Sequence, residues 1–471
     1  MSDVDQHEVR PRLASIRYAR MSLSPAFVHG AQRADAPKRA HYGRIFDVAC
    51  CPWDDSLFAT AGEDETARVW RDESRASGGS GIVSHGVCRG HKDEVVRVAW
   101  HPTMRILASG SADGAVAVWK VASPRLERAA SAHDPDESAV VRVDSLGPHP
   151  GEVYGCAFVG EGEGGGPMLA TAGGTDLRLW DLEAAVEVAC VPPVRAAKGE
   201  SDGAPADASG SATKKTPDRW EPGYLFSLSG DGGARGLLAS ACSDGTVKLW
   251  GLDAGARAAT AVASVECHPN ALATATTFLP GGNLLASAGS DGKVIVCDVR
   301  ASCKAVRRIT PPCVATGLCV MPRPRERACR GASVDVDPDV PGAREGTGYL
   351  AMCGRDGVVR AVAGEGAGPS AALRQELCET PTPLLCVASD RDGTRVIAAG
   401  NTRETGEDAA VPIGRAPGPF GSLRRNATVG ALGGAKPRAE PAEIFAWDAL
   451  SAREEEDEAS ACDDARARSA Q

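Results

Sequence analysis

A hydroxyl, an imidazole and a carboxylate return together along this 471-residue chain: His91, Ser109 and Asp113 form one set, and His41, Thr60 and Asp64 another. Such a trio is what activates a nucleophile for acyl transfer. Its repetition argues the other way, because catalysis needs one site whereas a recurring set suits a buried hydrogen-bond network that braces a repeating unit. No catalytic residue is therefore expected. The nine histidines show neither His-Glu-x-x-His nor i, i+4 pairing, so no metal site is expected either. The glycine-rich stretch 162–166 lacks the Lys-Ser/Thr and the strand-to-helix context of a phosphate cradle. No cofactor is expected.

Sixteen cysteines are numerous, yet none makes a Cys-x-x-Cys, and the one close pair is the adjacent Cys50 and Cys51. Cys156, Cys242, Cys319, Cys353 and Cys386 lie in apolar, strand-like runs, where a thiol acts as a small hydrophobe. They read as reduced core thiols. A net charge of −10 gives no overall positive field to displace phosphate counterions, which disfavours direct nucleic-acid binding. The start, Met-Ser-Asp-Val-Asp, carries no apolar leader, and no stretch approaches a membrane span, so a cytoplasmic or nuclear protein is expected.

The elements that must position these residues are repeats. Segments 60–70 (TAGEDETARVW), 109–119 (SGSADGAVAVW), 240–250 (SACSDGTVKLW) and 287–297 (SAGSDGKVIVC) align without gaps. Each reads as two short strands joined by a tight turn, with an Asp four residues after the hydroxyl. Alternating runs precede the first two units, 45–49 and 95–100, and Pro52 and Pro102 close them. With one more strand from the intervening segment, each unit becomes a four-stranded meander. Of eight tryptophans, five (Trp70, Trp119, Trp180, Trp250 and Trp447) fall at the repeat position.

The pattern resembles the WD-repeat family, whose units of about 40–45 residues carry Gly-His, then Asp, then Trp-Asp. The resemblance implies an all-β fold, a seven-bladed WD-repeat β-propeller, over residues 41–450. Its blades are expected near 41–75, 88–122, 148–191, 220–255, 268–303, 313–363 and 382–450. It also implies structural tetrads, in which His bonds Asp and the hydroxyl, and the hydroxyl bonds the indole. Gly90-His91, Ser109, Asp113 and Trp119 match best, followed by His41, Thr60, Asp64 and Trp70. The third unit offers His149, Thr171 and Trp180 but is one residue short, so that Asp176 falls late in the turn. The fourth keeps Ser240, Asp244 and Trp250, with Trp220 where the His belongs. In the fifth, Cys297 replaces the Trp, and His268 stands one place out of register from Ser287 and Asp291.

A ring must tie its ends together. The acidic segment 451–471 lacks strand character, so residues 14–30, within the extension 1–40, are expected to complete the seventh blade. Segments 195–218, 323–348 and 402–441 are too poor in apolar residues to repay ordering and are expected to be disordered, as is the tail.

Propellers work by holding proteins, and a non-catalytic interaction scaffold acting as a monomeric subunit of a larger complex is the principal expectation. Residues 285–300 (LASAGSDGKVIVCDVR) also resemble the box by which some propellers dock onto the adaptor of cullin-RING ubiquitin ligases, with Cys297 replacing its aromatic. By that resemblance Asp298 and Arg300 would face the adaptor, making the chain a substrate receptor. A ribonucleoprotein or RNA-processing assembly factor is a third reading.

Overall fold

A computed structural model describes residues 41–73, 82–122, 140–159, 167–191, 223–232, 236–253, 258–322, 349–363, 375–380, 382–393, 395–400 and 444–448. Among these residues seven antiparallel sheets follow one another along the chain, six of four strands and a seventh of three. Their inner strands are Ile45–Cys50, Val95–Trp100, Val153–Val159, Ser229–Gly230, Ala273–Phe278, Ala315–Met321 and Leu384–Ser389. Each packs on the next, and the seventh on the first, so the sheets form a closed ring. The fold is a seven-bladed β-propeller.

Burial follows from that geometry. Second strands such as Leu57–Gly62 (LFATAG) and Met168–Gly173 (MLATAG) are buried along their whole length, because both faces of a blade meet a neighbour. Their alanines and glycines let the blades approach closely. Outer strands face water: Lys304–Ile309 is buried only at Ile309. The Asp-Gly turns put Gly245 at φ +78°, and a Cβ there would meet the His268 carbonyl oxygen at 2.1 Å, so only glycine fits.

The expected closing strand at 14–30, the tail, Trp220 and the three long insertions lie outside the described residues. Among the described ones, the seam between blades 7 and 1 joins Ile45, Phe58 and Trp70 to Ile397, Ala399 and Ile444. Arg395 of blade 7 pairs there with Asp72 of blade 1, both buried, and its guanidinium lies over the Phe58 ring at 5.7 Å.

Ile397 is 1% exposed in this seam, whereas Val262 on an outer strand is 59% exposed. Ile397→Ala is expected to cost about 2–5 kcal/mol in urea unfolding, and Val262→Ala less than about 0.5 kcal/mol. Equal losses would contradict the seam assignment.

Candidate functional site

The hydroxyl–imidazole sets lie between strands, and hydrogen-bond chemistry fixes their polarity. Trp70 Nε1 donates to Thr60 Oγ1 at 2.7 Å, and because the Asp64 carboxylate on the other side of the ring can only accept, neutral His41 keeps Nε2 bare to take the Thr60 hydroxyl proton, also at 2.7 Å. The remaining ring proton then sits on Nδ1, which donates to Asp64 Oδ1 at 2.8 Å. Burial holds His41 below its ordinary pKa, and the ring is neutral. Desolvation pushes Asp64 up, but the bonds from His41 and Thr66 outweigh it and leave the carboxylate well below its usual range. Every polar atom of this relay is occupied, which leaves the hydroxyl unsuited to attack a substrate.

Blade 2 repeats the relay from Trp119 Nε1 to Ser109 Oγ (2.8 Å) and on to His91 Nε2 (2.7 Å). Its last link is looser: His91 Nδ1 stands 3.8 Å from Asp113, beyond hydrogen-bond reach. Asp113 accepts instead from the backbone N–H groups of Lys92 and Ala115, both at 2.9 Å.

In blade 3, Trp180 donates to Thr171 at 2.7 Å and Thr171 meets His149 at 2.8 Å. The shortened turn carries Asp176 to Arg178, and the buried His149 Nδ1 has no hydrogen-bond partner. Burial, helped by Arg178, pushes His149 down to about 4.

Blade 4 keeps the Trp250 to Ser240 bond at 3.2 Å, while Asp244 accepts from Thr246 and caps its own turn. Blade 5 corrects the sequence reading. His268 is in place, bonding Ser287 at 2.9 Å and Asp291 at 3.0 Å, and lacks only the indole. Three residues separate His41, His91 and His149 from their inner strands, but four separate His268 from Ala273. Asn270, at φ 60°, absorbs the extra residue in a left-handed turn. That inserted turn produced the apparent slip in register.

Asp298 and Arg300 meet each other. Arg300 Nε and Nη2 donate to the two Asp298 oxygens at 3.0 and 2.8 Å, and Asp298 also caps the short 3₁₀ turn Val299–Ala301. The guanidinium holds Asp298 down at about 2. The Arg300 side chain is 57% exposed, so this closed fork faces solvent.

Sequence reasoning missed the centre of the ring. Phe46, Val96, Tyr154, Phe226 and Leu385, from blades 1, 2, 3, 4 and 7, converge into an apolar plug. Arg97 spans the same region, donating to the carbonyls of Tyr154 (2.7 Å) and Phe226 (3.4 Å) and to Asp47 (3.4 Å). At the end of the ring where the inner strands begin, Glu63, Glu94 and Glu152 gather. Arg44 holds Glu63 at 3.2 Å, Tyr154 donates its hydroxyl to Glu152, and Tyr224 accepts from the Glu152 N–H at 2.9 Å. Burial, then the Glu63 charge, pushes Glu94 up to about 7. The available signal was a Glu directly before the inner strands of blades 2 and 3, in Glu94-Val95 and Glu152-Val153.

Four segments, 37–71, 83–120, 224–251 and 259–298, match the family model described as WD domain, G-beta repeat. The chain thus carries WD repeats and folds as a seven-bladed β-propeller. It is similar to the probable cytosolic iron-sulfur protein assembly protein Ciao1 of Culex quinquefasciatus, 38% identical over 87 residues, or 18% of this chain and 25% of that one. The corresponding ciao1-A protein of Salmo salar is 34% identical over 86 residues, 18% of this chain and 26% of its own. The chain thus matches about a quarter of the length of each relative. No described helix is long and apolar enough to cross a membrane.

His149 is neutral when buried and is protonated in the unfolded chain below its ordinary value of 6.5. Its contribution to stability is complete above pH 6.5 and is lost as pH falls toward 4, to a total of about 3 kcal/mol. Urea midpoints between pH 7.5 and 4.5 are expected to fall less steeply in His149→Gln than in the native chain. Parallel profiles would refute the assignment.

Proposed function

We propose that this chain is a non-catalytic interaction scaffold in the cytosol, and that its partner seats a cationic segment on the carboxylate mouth of the ring. The observation carrying this reading is the meeting of Glu63, Glu94 and Glu152 at the end of the ring where the inner strands begin, next to the apolar cluster of Phe46, Tyr154 and Phe226. Half-buried carboxylates beside the Tyr154 and Tyr224 rings, 6.1 Å apart, suit a Lys or Arg side chain, through charge and through the ring faces. The plug gives that side chain a floor. The similarity to proteins named for iron-sulfur protein assembly supports a role in assembly rather than in chemistry.

A second reading rests on a separate observation, the solvent-facing fork of Asp298 and Arg300. There the chain would serve as a substrate receptor of a cullin-RING ligase, docking its adaptor through that pair. An arginine already held in plane by a carboxylate loses little freedom on binding, which favours such a contact.

Affinity capture with quantitative mass spectrometry separates the two. Glu94→Lys with Glu152→Lys is expected to reduce the principal partner about tenfold or more, and Arg300→Ala to leave it unchanged. Loss of a ligase adaptor in Arg300→Ala alone would favour the second reading, and no change in either variant would remove both.

The raised Glu94 adds a pH test. A cation favours the ionised carboxylate, so binding is expected to tighten as pH rises from 6 to 8 through about 7. Glu94→Gln is expected to flatten that dependence. A native profile that is already flat would exclude Glu94 from the contact.

A further inference from the structure

Cys297 stands where the other tetrad blades place an indole, and the space is shared by a second sulfur. Its Sγ lies 3.9 Å from Sγ of Cys267, at the exit of the outer strand of blade 4. Both thiols are buried, in one cluster with Phe278, Leu285, Ile295 and Cys303. The two residues are neighbours of functional positions on either side: Cys267 precedes the tetrad residue His268, and Cys297 precedes Asp298.

From this juxtaposition we propose that Cys267 and Cys297 form a redox-active pair, oxidised by a small hydroperoxide to a disulfide that ties blade 4 to blade 5. A sulfur–sulfur bond is about 2.0 Å long, so the pair must close by about 1.9 Å, a movement on the scale of side-chain adjustment. Cys267 is the attacking sulfur. It is the more exposed of the two, at 8% against 3%, and once ionised it has the Cys297 sulfur within reach to donate its S–H to the thiolate. The restricted access selects a small oxidant over a bulky disulfide such as oxidised glutathione.

The reaction balances in two steps. The Cys267 thiolate attacks one peroxide oxygen, the O–O bond breaks, and hydroxide leaves as water after taking a proton, giving a sulfenic acid. Cys297 sulfur then attacks the Cys267 sulfur, the S–O bond breaks, and the departing hydroxide takes the Cys297 proton as a second water. Two thiols and one hydroperoxide (here hydrogen peroxide) yield one disulfide and two waters. The sulfurs lose two electrons and the peroxide gains them.

The link would span the His268 turn and the strand leading to Asp298, so oxidation would stiffen the very segment that carries the blade 5 tetrad and the exposed fork. The inference is independent of the reading of the carboxylate mouth.

The test treats the folded full chain with hydrogen peroxide, alkylates the remaining thiols under denaturing conditions, and maps unreduced peptides by mass spectrometry. The expected result is a peptide linking Cys267 to Cys297, removed by dithiothreitol and absent in Cys267→Ser and Cys297→Ser. In Cys297→Ser, Cys267 is expected to be trapped as sulfenic acid by dimedone, a signal that distinguishes a missing partner from a misfolded chain. Circular dichroism verifies folding of both variants. A link from Cys303 to either cysteine in place of this one, or full alkylation of both thiols after peroxide, would overturn the proposal.

Discussion

A ring of sheets holds together only if its last member grips its first, and in this chain Arg395 of blade 7 grips Asp72 of blade 1. Between consecutive blades the chain itself supplies a tether, but nothing in the described residues tethers blade 7 to blade 1. Closing so long a loop carries an entropic cost that grows only slowly with length, so a modest seam suffices. Ile45, Phe58, Ile397 and Ile444 provide the apolar part. A buried ion pair adds little net stability over an apolar one, but losing either partner strands a charge. The pair therefore enforces which two edges meet.

The second constraint is local. In blades 1 to 3 the indole, hydroxyl and imidazole form a continuous relay that ties the loop entering each blade to its second and third strands. The entering loops of blades 2 and 3 carry Glu94 and Glu152 of the mouth, and the turn between the second and third strands of blade 1 carries Glu63. Glu63 adjoins Asp64, Glu94 lies three residues after His91, and Glu152 three residues after His149. The hydrogen-bond network thus does more than hold blades together: it presets where the acidic groups stand, which lowers the ordering cost of binding. On the other side of the ring the relay thins. Blade 4 has no described histidine in it, and blade 5 replaces the indole with a thiol pair.

How far the sequence revealed this depended on whether a feature was periodic. The family, the ring and the residues of the first three relays were legible because hydroxyl, Asp and Trp recur at fixed spacing. His268 was misplaced because a single left-handed residue, Asn270, lengthens its loop, and ungapped register cannot see a turn that absorbs one residue. The plug and the mouth were not legible. Phe46, Tyr154, Phe226 and Glu94 are far apart in the chain, and only the rotation from blade to blade brings them to one axis. Likewise Cys267 and Cys297 look like ordinary core thiols until two adjacent blades place them together.

Zero-length carbodiimide cross-linking of the native complex reads out whether a partner sits at the carboxylate mouth. Amide bonds from partner lysines to Glu63, Glu94 or Glu152, identified by peptide mapping, are the expected result. Cross-links confined to carboxylates on the outer strands or the opposite face, in a complex whose partner carries accessible lysines, would contradict it.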